Sequence, residues 1–429
     1  MLTKGKLKST RSLDKRVVIT GLGVVSCCGV GMKPFWESVR DGVSGLRYIE
    51  SFDASGYKCQ VAGEVPNFDP RDYVGAKDAQ REGRFVHYAI AAAREAVEDS
   101  GVLSSGTDPY LMGAAFGSGA SGLGSVVDLT FHTAHQESYR AMDATAVVEM
   151  PAHATTSHVS IEFGLKGPSL TNSTGCVTSI VSVSQAMDVL RSGAAKVMVA
   201  GGSEAPVGPI PFFLLCKLGV LSPCKDGPTK SCKPYDLNRD GLVLGEGGSA
   251  MVVETARHAM DRGAHIYAEV LSTAHACEAH HMVIALPTGE ELAQALRVAM
   301  ADARIGPTDI DYVCSHGIGS KQYDEADTRA LKLALGDHAY KIAVSSIKPV
   351  TGQPFAAAGG MQVAAVCMAI AEDIIPPTLN LETPDPACDL DYVPGRARRA
   401  RVDVAAINGH SYGGAHSAML LRRFDPDFA

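Results

Sequence analysis

Two stretches of the chain have the same order of predicted elements: a strand, a helix, a strand, and then a further strand followed by a buried helix. The strands are continuous apolar, β-branched runs, and the helices carry apolar residues at helical spacing. The predicted strands are 16–25, 110–117, 168–171, 196–200, 266–271, 312–315 and 343–346, and the predicted helices are 85–100, 180–190, 292–303 and 355–371. We therefore expect two similar α/β halves packed through helices 180–190 and 355–371.

The whole chain is expected to form one compact body. Its 429 residues are 46% hydrophobic and 20% charged, and no glycine- and serine-rich linker divides them. This length suits two domains or one large double unit. We place the boundary between an N-terminal half, residues 1–262, and a C-terminal half, residues 263–429.

Charge and cysteine usage narrow the possible functions. A net charge of −8 without a long basic run argues against nucleic-acid binding. No apolar stretch reaches the about 20 residues that span a membrane, and residues 1–16 lack the apolar core of a signal peptide. The eleven cysteines have no short paired spacings, which predicts neither a disulfide framework nor a metal site and favours the cytoplasm.

One cysteine has the setting of a nucleophile. Residues 172–179 (NSTGCVTS) place Cys176 between a predicted strand and an apolar helix, at a strand-to-helix elbow. Backbone N–H groups and the dipole at a helix N-terminus favour a thiolate, so we expect a pKa below the usual value of about 8.5. The alternative is a buried structural cysteine, the commoner fate of a single cysteine.

Several motifs, in order, resemble those of the β-ketoacyl synthase family. They are residues 173–176 (STGC), 233–236 (KPYD), 239–241 (RDG), 245–247 (GEG), 316–327 (HGIGSKQYDEAD), 345–348 (SSIK) and 411–414 (SYGG). The resemblance runs from Val17 to Leu421 and is strongest to the ketosynthase (alpha) subunit of type II polyketide synthases, which serve antibiotic biosynthesis, with fatty-acid elongating synthases next. It implies a thiolase fold, a duplicated αβαβα five-layer α/β architecture with two central buried helices.

The resemblance also implies a reaction and its residues. Cys176 would carry the acyl chain as a thioester, and a malonyl carrier thioester would lose carbon dioxide and attack it, a decarboxylative Claisen condensation. The backbone N–H groups of Cys176 and Tyr412 would form the oxyanion hole. His316 matches the first family histidine, and Lys348 the lysine that supports it. No metal or cofactor is implied beyond the phosphopantetheine of an acyl carrier protein, the expected partner, with a homodimer or a heterodimer with a chain-length factor as the assembly.

The chain departs from the family pattern at several positions. Gln353 replaces the second family histidine. An amide can donate a hydrogen bond but cannot move a proton. The alternative function is therefore a protein that binds or transfers acyl groups without elongating them. Ile318 and Ser320 stand where two hydroxyl residues contact the pantetheine arm. Of the loop residues, Tyr412 replaces a gating phenylalanine, while Ser411 and His410 stand at a glycine and an aromatic position. His410 is interpreted as an ordinary packed or solvated histidine.

Further residues are assigned by the resemblance with plainer alternatives beside them. Ala120, Phe212 and Phe213 would line the acyl tunnel, although Ala120 could equally be a packing residue. Glu278 and His281 match a family acid and histidine, for which a structural role is at least as good an interpretation; the neighbouring His280 is incidental. A basic cluster would steer the acidic carrier protein, or is simply a solvated charged face: Arg71, Lys77, Arg81 and Arg84.

Two rival classes fit the sequence less well. Chain-length factors are binding subunits that lack the nucleophilic cysteine, whereas this chain keeps Cys176. Thiolases use a second cysteine in the C-terminal loop, and residues 408–416 contain none. The glycine-rich tip at 117–122 lacks the lysine and spacing of a phosphate-binding loop and is interpreted as a plain flexible loop.

Overall fold

A computed structural model describes residues 11–122 and 144–426. Its strands are β1 Val17–Ser26, β2 Gly29–Val30, β3 Arg47–Tyr48, β4 Val61–Gly63, β5 Met112–Gly117, β6 Ser169–Asn172, β7 Val197–Glu204, β8 Leu244–Gly245, β9 Gly247–Thr255, β10 Ala268–Cys277, β11 Tyr312–Cys314, β12 Ala343–Ser345, β13 Ile374–Ile375, β14 Arg398–Arg399, β15 Val404–His410 and β16 Ala415–Arg422. Its helices are α1 Met32–Asp41, α2 Asp78–Arg81, α3 Arg84–Ser100, α4 Ala146–Glu149, α5 His153–Phe163, α6 Thr178–Ser192, α7 Pro209–Leu218, α8 Ala256–Asp261, α9 Glu290–Ala303, α10 Lys321–Leu335, α11 Lys348–Thr351 and α12 Ala358–Glu372.

The main strands show that the fold is duplicated. The first half contributes them in the order β6-β5-β7-β9-β1, and the second half in the order β12-β11-β15-β16-β10. Numbered within its own half, each set reads 3-2-4-5-1. The halves join where β1 pairs antiparallel with β10, with Val17 opposite Val270 and Ile19 opposite Ala268. The predicted repeat is therefore confirmed at the level of topology.

Helices cover these strands in layers. Helices α3 and α5 pack on the first half's strands, α9 and α10 pack on the second half's, and α6 and α12 lie between the two sets. The central helices approach closely because α12 begins with small residues: the Gly360 N–H donates to Ser179 Oγ at 2.7 Å. This is the αβαβα arrangement with two central buried helices that the sequence predicted.

Most predicted elements are confirmed within about two residues, because their apolar runs are buried in the structure. The strand predicted at 266–271 is different: β10 runs from Ala268 to Cys277, since its polar second half continues the pairing with β16. Strands β9, β15 and β16 were not predicted at all. Residues 355–372 are long and apolar enough to cross a membrane, but they lie mostly buried as a core helix.

The boundary between the halves stays a proposal. We place it after residue 262, in the connection from α8 to β10. The order of strands supports two similarly folded units, and the β1–β10 pairing makes them one continuous structure.

Candidate active site

Cys176 lies in the turn between β6 and α6. Gly175–Val177 form a single 3₁₀ turn directly before the helix. The Cys176 N–H donates to Ser411 Oγ at 3.0 Å. Gly175 has φ of +60°, and a Cβ there would lie 2.2 Å from Ser411 Oγ, so this position requires glycine. The predicted elbow is confirmed, and the C-terminal hairpin closes over it.

Burial decides the acidity of the Cys176 thiol. It raises the pKa of the thiol to about 11, even though Gln353, Lys348 and Ser411 each lower it. Desolvation disfavours the thiolate more than these three groups stabilise it. The expectation of a pKa below about 8.5 is therefore wrong, because the helix N-terminus does not compensate for the loss of water. Cys176 is a neutral thiol near pH 7.

His316 follows β11 and is held through its backbone. Its N–H donates to Asn408 Oδ1 at 2.8 Å, and Asn408 Nδ2 donates to Asp327 Oδ1 at 2.5 Å. The Lys348 ammonium donates to the His316 carbonyl at 3.3 Å. Burial, reinforced by nearby positive charge, lowers the pKa of His316 well below its usual value. The imidazole is therefore neutral near pH 7, with one donor and one acceptor nitrogen.

Lys348 and Gln353 complete the buried polar groups around the thiol. Both side chains are only 1% exposed. Burial lowers the pKa of Lys348, although nearby thiols partly oppose the shift. The Gln353 amide is close enough to lower the pKa of the Cys176 thiol, yet neither its Oε1 nor its Nε2 makes a hydrogen bond of good geometry. The amide is thus a buried donor and acceptor without a partner, as expected of a group that meets a substrate.

A cavity of about 460 Å³ is lined by residues that neighbour His316 and Ser411 in sequence, but not by the buried groups themselves. Ile318 and Ser320, two predicted pantetheine contacts, line it together with Tyr412 and Lys321. The aromatic ring of Tyr323, also in the wall, lies 6.3 Å from the ring of His316. The cavity is therefore a candidate entrance for a carrier-bound substrate.

Comparison with known proteins decides the family. The sequence profile of the beta-ketoacyl synthase N-terminal domain matches residues 14–259, and that of the C-terminal domain matches residues 267–382. The chain belongs to the β-ketoacyl synthase family. Members are acyltransferase-type condensing enzymes, and this chain is an enzyme of that kind.

Individual relatives place this β-ketoacyl synthase among type II systems. It is 38% identical over 421 residues to the "Tetracenomycin polyketide synthase ketoacyl synthase alpha subunit" of Streptomyces glaucescens, covering 96% of this chain and 98% of the relative. It is 36% identical over 410 residues to the "3-oxoacyl-[acyl-carrier-protein] synthase 2" of Synechocystis sp., covering 96% and 98%. Among solved structures, the type II ketosynthase of "AntDE:AntF" aligns with a TM-score of 0.89 at 30% identity, covering 95% of this chain and 99% of that one. The fold is therefore the thiolase fold of ketosynthases.

The predicted tunnel residues do not line this cavity, although Phe212 belongs to the same apolar cluster as Ile318 and Tyr323 of its wall. Phe212 is fully buried and packs against Phe52 and Tyr57, with ring centroids 5.9 and 6.3 Å away. Phe213 is 40% exposed on α7. The Ala120 N–H donates to the Glu204 carboxylate at 3.1 Å. A role for the three residues in an acyl tunnel remains a prediction.

Two of the predicted docking cations have partners within the chain. Arg71 forms an ion pair with Asp69, and Arg84 contacts the Glu246 carboxylate at 3.6 Å. Lys77 and Arg81 are exposed beside and at the end of α2. The sequence analysis missed Lys321, an exposed cation on the wall of the substrate cavity itself.

Glu278 and His281 have structural contacts. The Glu278 carboxylate accepts the Leu286 N–H at 3.1 Å, and His281 Nδ1 accepts the N–H groups of Val283 and Ile284 at 3.0 Å. His280 is exposed. These contacts fix the segment beside the cavity, which favours the structural interpretation.

Three positioning residues escaped sequence analysis. Asn408 and Asp327 hold the His316 backbone, and Glu204 accepts hydrogen bonds from Ser118 Oγ and the Gly119 N–H at 2.7 Å each. The two hydrogen bonds to Glu204 fix the glycine-rich tip at residues 117–122, which the sequence pattern alone indicates to be a flexible loop. The signal available in the sequence was the carboxylate of Glu204 in an otherwise apolar strand, because a buried carboxylate needs hydrogen-bond donors.

Proposed function

We propose that this protein is a β-ketoacyl-acyl carrier protein synthase of type II polyketide biosynthesis. The observation that carries the proposal is the buried Cys176 thiol, whose pKa responds to Gln353 and Lys348, together with the bond from Lys348 to the His316 carbonyl. Relatives named as polyketide β-ketoacyl synthases support the substrate class.

In the first step, the thiol takes an acyl group from a carrier thioester. The Cys176 sulfur attacks the carbonyl carbon, the thiol proton leaves, and the carrier departs as its own thiol. Since the free thiol has a pKa of about 11, attack requires proton removal to be coupled to substrate binding. The neutral imidazole of His316 is available as the acceptor of that proton.

In the second step, a malonyl carrier thioester loses carbon dioxide and its carbanion attacks the acyl-cysteine. Negative charge develops on the thioester oxygen, which needs hydrogen-bond donors. A neutral His316 and the unpartnered Gln353 Nε2 can each supply one. Lys348, which is bound to the His316 carbonyl, adds positive charge behind the imidazole.

The acyl carrier protein is the proposed partner, and its phosphopantetheine would enter through the cavity lined by Ser320 and Lys321. One similar solved structure contains a ketosynthase with its acyl carrier protein, and another contains a ketosynthase with a chain length factor. We accordingly propose a homodimer or a heterodimer with a chain-length factor. The condensation requires no redox cofactor, and the eleven free cysteines favour the cytoplasm as its location.

Two measurements test the proposal. Intact-protein mass spectrometry with an acyl carrier thioester should show one acyl adduct on the wild type and none on Cys176→Ala. Release of carbon dioxide from malonyl carrier protein should then require the acylated enzyme. The absence of any adduct would contradict the proposal at its first step.

The second candidate function is acyl binding or transfer without elongation, and Gln353 is the observation that favours it. An amide cannot move a proton, so decarboxylation could depend on the histidine that Gln353 replaces. If the wild type is acylated but releases no carbon dioxide, and Gln353→His restores release, the protein is a non-elongating ketosynthase. A fatty-acid elongating role is distinguished by the acyl chains accepted: saturated chains for fatty-acid synthesis, polyketone chains for polyketides.

A further inference from the structure

Two histidines form the base of the loop that carries Tyr412. Strands β15 and β16 pair antiparallel, and their closing pair is His410 opposite His416. Both side chains are buried, with 1% and 2% exposed, and their rings lie 4.7 Å apart. Glu278 reaches the same point from the end of β10, and its N–H donates to the Gly414 carbonyl at 2.8 Å.

Three of the four histidine nitrogens of this cluster have no hydrogen-bond partner. Neither His410 Nδ1 nor His410 Nε2 has a partner, and His416 Nδ1 has none. The one bond within the cluster joins His416 Nε2 to Glu278 Oε1 at 3.1 Å. A buried imidazole without any partner is costly, and such exceptions call for an explanation.

The three side chains offer the donors of a metal site. One ligand atom from each lies within 4.8 Å of the others. Asp327 Oδ1 lies 3.7 Å from His410 Nε2, so a carboxylate stands close to this ring without forming a hydrogen bond to it. Metal-bound histidines commonly have such a carboxylate behind them.

We propose that His410, His416 and Glu278 bind one divalent transition-metal ion, with Zn²⁺ as the reference ion. Two imidazoles and one carboxylate are a donor set used by zinc, whereas Mg²⁺ and Ca²⁺ prefer oxygen ligands alone. The bound ion would tie the base of the 411–415 loop to the end of β10. It would therefore hold in place the loop that carries Tyr412. The base of this loop lies close to the candidate active site, because the ring centroids of His410 and His316 are 5.2 Å apart.

The test is zinc binding by the full chain after chelation and dialysis. Elemental analysis and calorimetric titration should give one Zn²⁺ per chain, and zinc should raise the Tm. Each of His410→Phe, His416→Asn and Glu278→Gln should weaken binding by about 100-fold or more and abolish the Tm rise. The control His265→Ala removes an exposed histidine outside the cluster and should bind as the wild type does.

Other side chains near the cluster that could bind zinc need a separate control experiment. Cys277 and His280 are exposed and Cys176 is a thiol, so each could take up zinc adventitiously. Zinc binding that survives His410→Phe but disappears in Cys277→Ser or Cys176→Ala would overturn the proposal, as would a wild type that binds no zinc. If one cluster variant fails to fold, the other two decide the result. The outcome is independent of condensation, since it uses no acyl substrate.

Discussion

The Ser411 hydroxyl occupies the backbone donor that an oxyanion at Cys176 would need. It accepts the Cys176 N–H at 3.0 Å and also lowers the pKa of the thiol. These two contacts have opposite consequences, because the first competes with the oxyanion and the second favours the reactive thiolate. An alkylating reagent forms no oxyanion, so comparing it with an acyl donor separates the two effects.

Replacing Ser411 with alanine should therefore slow alkylation and spare acylation. Loss of the hydrogen bond to the thiolate should reduce the rate with iodoacetamide at pH 8 by about fivefold, from about 1 kcal/mol. Acylation by a carrier thioester should fall less or rise, because the Cys176 N–H is freed. Rates are measured by intact-protein mass spectrometry, with Ser417→Ala as a matched change of a buried serine in the same hairpin. Equal loss in both reactions would show that Ser411 has only a structural role.

The pH dependence of alkylation follows from the buried thiol. Burial raises the pKa of Cys176 to about 11, so the thiolate fraction increases tenfold per pH unit throughout the neutral and mildly alkaline range. The alkylation rate of the free enzyme should accordingly rise between pH 7 and 9.5 without a plateau. Cys176→Ala supplies the background from the other cysteines. A plateau near pH 8 would mean that the thiolate is stabilised more than the structure indicates.

At the scale of single elements, the sequence predicted those whose apolar pattern is unbroken. Helix α3 and strand β1 lie within one residue of their predicted bounds, because every residue of β1 and part of each turn of α3 is buried. The hairpin β15–β16 was missed, and with it the pairing of His410 with His416. A single sequence shows residue types but not register, so it could name Cys176, His316 and Lys348 and could not place Ser411 against Cys176.

The contact between the central helices gives a stability prediction. A Cβ at Gly360 would lie 2.2 Å from Ser249 Oγ and 2.8 Å from its Cβ, so Gly360→Ala forces a shift in the core. We expect a loss of about 1–3 kcal/mol in the free energy of unfolding, measured by urea denaturation. Gly56→Ala is the control, because a Cβ there meets nothing within 4 Å. An unchanged midpoint for Gly360→Ala would mean that α12 packs less closely on Ser249 of β9 and Ser179 of α6 than the structure shows.

At the scale of the whole molecule, one edge of the sheet is suited to a partner chain. Strand β6 ends the strand order and pairs, among the described strands, with β5 alone. Helix α5 packs beside it and exposes Ile161 at 75%, and the short helix α4 that precedes α5 exposes Val147 and Val148 at 75% and 52%. An unpaired edge next to exposed apolar side chains is typical of an interface.

A charge placed in this patch should separate the subunits. Ile161→Asp should weaken self-association, or association with a chain-length factor, by about tenfold or more, because the carboxylate would be buried in the interface. Sedimentation velocity measures the change. The control Leu103→Asp alters an exposed apolar residue at the end of α3. Identical sedimentation of the two variants would place the interface elsewhere.

The hydrogen bond between Cys176 and Ser411 spans 235 positions. A chain emerging from the ribosome at about 5–20 residues per second therefore displays its nucleophile elbow many seconds before the covering hairpin exists. During that interval the thiol lacks the burial that keeps it protonated in the finished protein. A nascent chain therefore acquires an enclosed cysteine, and with it a controlled reactivity, only after the hairpin that carries Ser411 has been synthesised.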